Sequence, residues 1–141
     1  MGEWSRREVL GVLAGGAAAT ELSESKVFAY EGMPVRTMAN GGQSRDVVRG
    51  ELATGEAVAV HESMQPAGMV PNVAHAIDHA EIMMVLEGSL EFQHDGKTEL
   101  VGPGGVIYIA RGTMHRVRNV GDGPMRYTVI AIGGDVKRVL G

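Results

Sequence analysis

Short runs of alternating hydrophobic and polar residues fill the chain after residue 24. This alternation has the two-residue period of a half-buried β-strand, and no run after residue 20 keeps a helical period over two turns. Asp95-Gly96, between two alternating runs, is a strong hairpin signal. The predicted strands lie at 45–52, 56–64, 80–87, 89–94, 97–101, 106–110, 114–120 and 125–133. With the N-terminal arm they make roughly nine short strands, which indicates an all-β domain in a closed or two-sheet form.

The first 20 residues, MGEWSRREVLGVLAGGAAAT, do not follow this pattern. Arg6 and Arg7 precede a mildly apolar run at 9–19, which is too short to span a bilayer because a spanning helix needs about 20 residues. The run ends in three alanines, which suits signal peptidase. The segment resembles a twin-arginine export signal, so we expect cleavage near Thr20 and a periplasmic or secreted mature protein. The alternative is a short helix packed on the domain.

Length, charge and cysteine content limit the possible classes of protein. The 141 residues suffice for one domain with one hydrophobic core. The formal net charge is −4, and no basic stripe alternates with aromatic residues. We therefore expect no nucleic-acid partner and, once the signal is removed, no membrane partner. The chain contains no cysteine, which excludes disulfides and thiolate chemistry.

Two histidines and a glutamate stand at alternate positions in HAIDHAEIMMVLEG, residues 75–88. In a continuous strand His75, His79 and Glu81 point to one face, and Ile77 lies among them on that face. A bend near Asp78 would break this relationship. The spacing therefore predicts a cluster of polar groups, provided that the strand is regular from residue 75 onward.

A second histidine-bearing segment, GGVIYIARGTMHRVRN at 104–119, places His115 three residues after Gly112 and four before Asn119. Together the two segments resemble the paired motifs of the cupin family, G-x5-H-x-H-x3-4-E-x6-G and G-x5-P-x-G-x2-H-x3-N. The resemblance covers about residues 45–132 and implies an all-β double-stranded β-helix, a jelly-roll barrel. Together with the predicted export signal, the resemblance divides the chain into four parts: a signal peptide at 1–19, an arm with edge strands at 20–44, a barrel at 45–135 and a tail at 136–141.

Two positions depart from the family pattern. Ile77 stands where the first motif has its second histidine, and Ala110 replaces the proline of the second motif. Many small cupins carry a third histidine two positions after the second, and His79 matches that position. The resemblance therefore implies a ligand set made of His75, His79, Glu81 and His115.

Three histidine nitrogens and one carboxylate oxygen suit one divalent transition metal, with Mn, Fe, Ni, Zn and Cu as the candidates. Such a set leaves one or two coordination positions open for substrate, water or dioxygen. The alternative is that Ile77 marks a degenerate site, and that the remaining polar residues line a metal-free pocket.

Other residues are weaker candidates for a role. His61 in AVAVHESM is either an acid–base group facing the cavity or a hydrogen-bonded strand histidine with no chemical role. His94 precedes the predicted hairpin turn, and we expect it in solvent. Met83 is expected to fill core volume beside the ligands, whereas Arg116 and Arg118 are expected to face outward.

The resemblance leaves three classes of function open. The first is a metal-dependent enzyme on a small organic substrate, a dioxygenase-like oxidoreductase or an isomerase, in which Glu81 serves as ligand and base. The second is a non-catalytic module that binds a sugar or an acid, and the third is a partner-binding protein with a vestigial pocket. We expect a homodimer, with the segment at 24–40 covering the neighbouring copy.

Overall fold

The computed structural model describes residues 21–136, which form two β-sheets. The strands are β1 Glu21–Leu22, β2 Val35–Thr37, β3 Gln43–Leu52, β4 Ala57–Gln65, β5 Ala80–Glu87, β6 Leu90–His94, β7 Lys97–Val101, β8 Val106–Ile109, β9 His115–Asn119 and β10 Met125–Ile132. The predicted all-β class is confirmed. The predicted signal peptide at 1–19 and tail residues 137–141 lie outside the described part of the chain.

The larger sheet has the strand order β1-β3-β4-β10-β5-β8, and β2 pairs with β3 as well. The smaller sheet has the order β7-β6-β9. β3 pairs antiparallel with β4, and β6 pairs antiparallel with β7, which confirms the hairpin predicted at Asp95-Gly96. At the second hairpin Asp95 and Gly96 adopt φ angles of +48° and +75°, as a type I′ turn requires.

The core lies between the two sheets, and strict alternation in β10 shows which face is inside. From Met125 to Ile132, every odd-numbered residue is buried and every even-numbered residue is half-buried. Leu90 and Phe92 of the smaller sheet pack against side chains of β5, β8 and β10. The buried apolar side chains of this cluster are Met83, Val85, Leu90, Phe92, Ile107, Ile109, Met125, Tyr127 and Val129. Each buried aliphatic or aromatic side chain contributes about 1.5–3 kcal/mol, so this half of the barrel is the main source of stability.

Strand register arranges the inward face of the larger sheet in transverse rungs. Residues directly opposite in paired strands put their side chains on the same face. We name three rungs by their polar members: the hydroxyl rung Ser44–Ser63–Tyr127, the histidine rung Asp46–His61–Val129 and the glutamate rung Arg49–Ala59–Ala131–Glu81. The polar side chains of the first two rungs lie mainly on β3 and β4, beside the apolar half of the barrel.

The placement of His75, His79 and Glu81 on one face holds only for a strand that is regular from residue 75, and the structure does not meet this condition. β5 begins at Ala80, and the chain bends at Asp78 and His79. The cause is a contact with the C-terminal segment, where Asp135 donates its backbone N–H to the Asp78 carbonyl at 2.9 Å. Gly134 crosses so closely that a Cβ atom there would lie 1.7 Å from that carbonyl oxygen, and its φ is +52°. This position therefore requires glycine.

The N-terminal arm lies against its own sheet in this single chain. β1 pairs parallel with the end of β3, and β2 pairs antiparallel with its beginning. The Tyr30 ring receives the guanidinium groups of Arg45 and Arg126, at 4.1 and 5.0 Å from the ring centroid. Within residues 21–136, no helix has the length and apolar character needed to cross a membrane.

Candidate functional site

His75 and His115 lie directly opposite each other across an isolated antiparallel bridge. The backbone N–H of His75 donates to the His115 carbonyl at 3.0 Å, and His115 returns a bond of 2.9 Å. The ring centroids are 4.8 Å apart at an interplanar angle of 49°. His115 is buried at 3% exposure, whereas His75 is exposed. The bridge therefore places these two predicted ligands side by side.

Both rings of this pair turn Nδ1 toward a backbone carbonyl. The Nδ1 of His115 lies 2.8 Å from the Thr113 oxygen, and that of His75 lies 3.4 Å from the Val73 oxygen. A carbonyl only accepts, so the contact places the proton of neutral His115 on Nδ1 and leaves a lone pair on Nε2. This is the arrangement usual for a metal-ligating histidine.

His79 is held between two carboxylates. Its Nδ1 lies 2.5 Å from Asp135 Oδ1 and its Nε2 lies 2.8 Å from Glu81 Oε2. Burial lowers the pKa of His79, but the hydrogen bonds and charges of Glu81 and Asp135 outweigh burial and raise the pKa above its usual value. An imidazolium that donates from both nitrogens fits these two acceptors. His79 therefore fixes the orientation of Glu81.

The four predicted ligands do not fit a single metal centre in this arrangement. A histidine needs a free lone pair to bind a metal, and both nitrogens of His79 face carboxylates. Within residues 21–136, no group of three or more histidine, aspartate or glutamate side chains has the spacing to hold a metal ion. The structure brings together His75 with His115, and separately His79 with Glu81.

His61 faces the barrel interior, on the histidine rung between Asp46 and Val129. Burial is the largest influence and lowers the pKa of His61, although the negative charges of Glu81 and Asp46 act in the opposite direction. The neutral imidazole is therefore favoured near neutral pH, as a proton acceptor requires. The inward orientation is the one that the acid–base alternative for His61 requires.

The sequence did not single out the polar residues beyond His61 on β4. Ser63 and Gln65 follow at alternate positions, and Gln65 Nε2 donates to the Tyr127 hydroxyl at 3.4 Å. Burial raises the pKa of Tyr127, and the charge of Glu81 raises it further, while hydrogen bonds from Ser63 and Gln65 lower it. The signal that could have found them is the alternation in AVAVHESMQ, where polar residues occupy the face that a core strand normally fills with apolar ones.

A sequence-family model described as the cupin domain matches residues 60–131 of the chain. The match runs from β4 to β10 and includes the His75–His115 pair, Glu81 and His61. The chain is a cupin. No curated protein matches it.

Solved structures support the cupin fold. An RmlC-like cupin from Shewanella frigidimarina is 15% identical, with a TM-score of 0.65, and the match covers 78% of this chain and 91% of that one. KdgF from a Halomonas species is 16% identical, with a TM-score of 0.65 and coverage of 77% and 94%. A predicted oxalate decarboxylase from Thermotoga maritima is 17% identical, with a TM-score of 0.61 and coverage of 76% and 98%. At these identities the similarity establishes the fold alone.

Ile77 occupies the place of the missing histidine in this cupin and belongs to the hydrophobic packing. Its half-buried side chain packs against the core cluster, and its backbone carbonyl accepts a 2.8 Å hydrogen bond from Gly112. Gly88, the last glycine of the first motif, is required for a similar reason. A Cβ atom at this position would lie 2.6 Å from the Pro124 carbonyl oxygen. The motif therefore retains its backbone contacts although one potential ligand is absent.

The expectation that His94 is solvated is wrong. Its side chain is 19% exposed, it stacks on Phe92 with centroids 4.6 Å apart, and it lies directly across from His115. Its ring contacts Glu99 at 2.6 Å and Asp95 at 2.9 Å, and these hydrogen bonds raise the pKa of His94. Pairing of β6 with β9 turns His94 inward, which the turn next to it does not indicate.

The other orientation predictions are confirmed. Met83 is buried in the core at 5% exposure. Arg118 points outward and pairs with Glu91 at 3.0 Å, and Arg116 donates to the side-chain amide oxygen of Gln93 at 2.8 Å.

Proposed function

We propose that this cupin binds a small organic molecule inside the barrel, with Glu81 and His61 as the acid–base groups that contact it. The observation that supports this most directly is that Glu81 and His61 lie on adjacent inward rungs of the larger sheet. The Glu81 side chain is 13% exposed and is fixed by His79, so its carboxylate is oriented before a ligand arrives. Preorganised polar groups of this kind favour specific binding and proton transfer.

The chemistry available without a metal is proton transfer. His61 has its pKa lowered by burial, so the neutral ring can accept a proton near neutral pH. Glu81 accepts a hydrogen bond of 2.8 Å from His79, which fixes the direction of its carboxylate group. A ligand that lies along these rungs would contact a neutral imidazole and a carboxylate, which suits isomerisation or a similar reaction as well as simple binding.

Ligand binding can be tested with purified protein and a library of small organic acids and sugars, using thermal shift followed by NMR titration. Binding in the barrel predicts shifts of the His61 and Glu81 backbone amides. Glu81→Gln and His61→Ala should weaken binding at least tenfold, whereas Glu87→Gln on the same strand should not. Library members that shift only residues outside the barrel would contradict the proposal.

A second candidate function is a metal-dependent, dioxygenase-like oxidoreductase. The observation that favours it is the His75–His115 pair, whose Nδ1 atoms face carbonyls. A metal among Mn, Fe, Ni, Zn and Cu would supply Lewis acidity there. Elemental analysis of protein purified with its own N-terminal segment tests this candidate. Metal that is lost in His115→Ala and retained in His94→Ala would support it, and equal content in both variants would contradict it.

We propose in addition that the mature protein acts outside the cytoplasm, on the basis of Arg6, Arg7 and the alanines before residue 20. Replacement of both arginines by lysine should leave the full-length chain in the cytoplasm, as cell fractionation would show. Unchanged export would contradict this proposal.

A further inference from the structure

Gln65 carries a buried oxygen without a hydrogen-bond partner. The residue is 3% exposed, and its side-chain Oε1 accepts no bond from any described residue. A buried unpaired acceptor of this kind costs about 1–3 kcal/mol, so native interiors almost always supply a donor. The position therefore points to an O–H or N–H group that comes from outside the described chain.

Hydroxyl groups lie beside the Gln65 side-chain amide. The Gln65 amide nitrogen donates to the Tyr127 hydroxyl at 3.4 Å. Tyr127 is itself 6% exposed and lies opposite Ser63, which lies opposite the buried Ser44 on the hydroxyl rung. Because burial raises the pKa of Tyr127, the phenol keeps its proton at neutral pH and can donate it in a hydrogen bond.

Charged side chains are absent from the hydroxyl rung itself. His61 lies on the neighbouring rung and Glu81 on the rung beyond it. Two rungs correspond to four residues, or about 13 Å of strand, so a ligand that reaches from Glu81 toward Tyr127 must be an extended molecule. The end of the ligand that lies at the hydroxyl rung would contact neutral hydrogen-bond donors and acceptors only.

We propose that the hydroxyl rung and Gln65 form a subsite for hydroxyl groups, so that the ligand is a polyhydroxylated compound of the sugar or sugar-acid class. This inference rests on the proposed function and specifies the ligand of the same interior. A hydroxyl can donate to Gln65 Oε1 and accept from Tyr127, which a carboxylate or an alkyl chain cannot do together. An ordered water on Gln65 would be the alternative occupant.

The test compares D-gluconate with hexanoate, which share a carboxylate and a six-carbon chain but differ in hydroxyl groups. Isotope-labelled full-length protein is titrated with each probe by NMR. Gluconate is expected to shift the Gln65 side-chain NH2 signals and to bind at least tenfold more tightly than hexanoate. Tyr127→Phe should weaken gluconate binding threefold to tenfold, as for one neutral hydrogen bond, and leave hexanoate binding unchanged.

Tyr108→Phe is the matched control, because Tyr108 is 67% exposed on the outer face. Ser63→Ala provides a second variant if Tyr127→Phe fails to fold. If both probes shift His61 and Glu81 alike and leave Gln65 unmoved, water fills the subsite; the inference then fails while the proposed function stands. If neither probe shifts any inward residue, the result contradicts both the inference and the proposed function.

Discussion

His79 joins Asp135 to Glu81, with contacts of 2.5 Å on one ring nitrogen and 2.8 Å on the other. The link connects the C-terminal segment to the one carboxylate that the cupin motif places on β5. A residue that the sequence offered as a substitute metal ligand is thus a hydrogen-bonded support for Glu81. The same contact explains why the chain bends before β5, because Asp78 and His79 both meet residues 134–135.

Gly134→Ala tests this C-terminal contact. The new Cβ would overlap the Asp78 carbonyl, and the φ of +52° is unfavourable for alanine. We expect the free energy of unfolding to fall by at least about 1–3 kcal/mol, measured by chemical denaturation. Gly123→Ala is the control, because nothing lies within 4 Å of its Cβ position. Equal stability of the two variants would show that residues 133–136 do not pack on Asp78.

Ile77→His tests whether the missing motif histidine can simply be restored. Ile77 packs against the hydrophobic core, so an imidazole there replaces apolar contact with a polar group that needs a partner. We expect a loss of about 1–3 kcal/mol in the free energy of unfolding without added metal. Ile77→Val should cost about 0.5–1.5 kcal/mol. An Ile77→His protein as stable as the wild type would mean that this side chain does not contribute to the core.

Most strands could be predicted from the sequence because each has alternating residues and a turn at either end. β5 begins and ends where the pattern predicts, at Ala80 and Glu87. The bend at Asp78 could not be predicted, since the H-I-H-E alternation continues through it and its cause is a glycine 56 residues later. Local patterns carry strand propensity but not contacts between distant segments.

The inward or outward direction of individual side chains also depends on distant segments, because it is set by the register of the strand pairing. Tyr127 and Tyr108 both lie in short predicted strands, yet one is 6% exposed and the other 67%. His94 faces inward because β6 pairs with β9 and places it opposite His115. Only the pairing of strands distinguishes these cases.

Asn119, the last residue of the second motif, is expected to stabilise the contact between the end of β4 and the loop before β10. Its side chain donates to the carbonyls of Gln65 and Gly123, both at 2.9 Å, and accepts from the Gly121 N–H at 2.9 Å. Asn119→Ala leaves the buried Gln65 carbonyl unpaired and removes two part-buried bonds to the loop, so we expect a loss of about 2–3 kcal/mol in the free energy of unfolding. Asn72→Ala, at an exposed loop position, should be neutral within about 0.5 kcal/mol. A neutral Asn119→Ala would mean that water replaces the three bonds.

His94 is expected to make stability depend on pH. Hydrogen bonds that the His94 ring donates to Glu99 and Asp95 raise the pKa of His94 in the folded protein above its unfolded value, so the folded state binds the proton more tightly. This stabilisation is fully present below the unfolded pKa of about 6.5 and is lost as pH rises through the folded pKa. The melting temperature of the wild type should therefore fall, relative to His94→Gln, between pH 6 and pH 9.

His61 is expected to make stability depend on pH in the opposite direction, and it therefore provides an internal control. Burial lowers the pKa of His61, so the folded state binds its proton less tightly and stability is lost as pH falls below about 6.5. Relative to His61→Gln, the wild type should lose melting temperature toward acid pH, where the His94 contribution is retained. A constant difference between wild type and His94→Gln at every pH would show that the contacts with Glu99 and Asp95 do not favour the protonated ring.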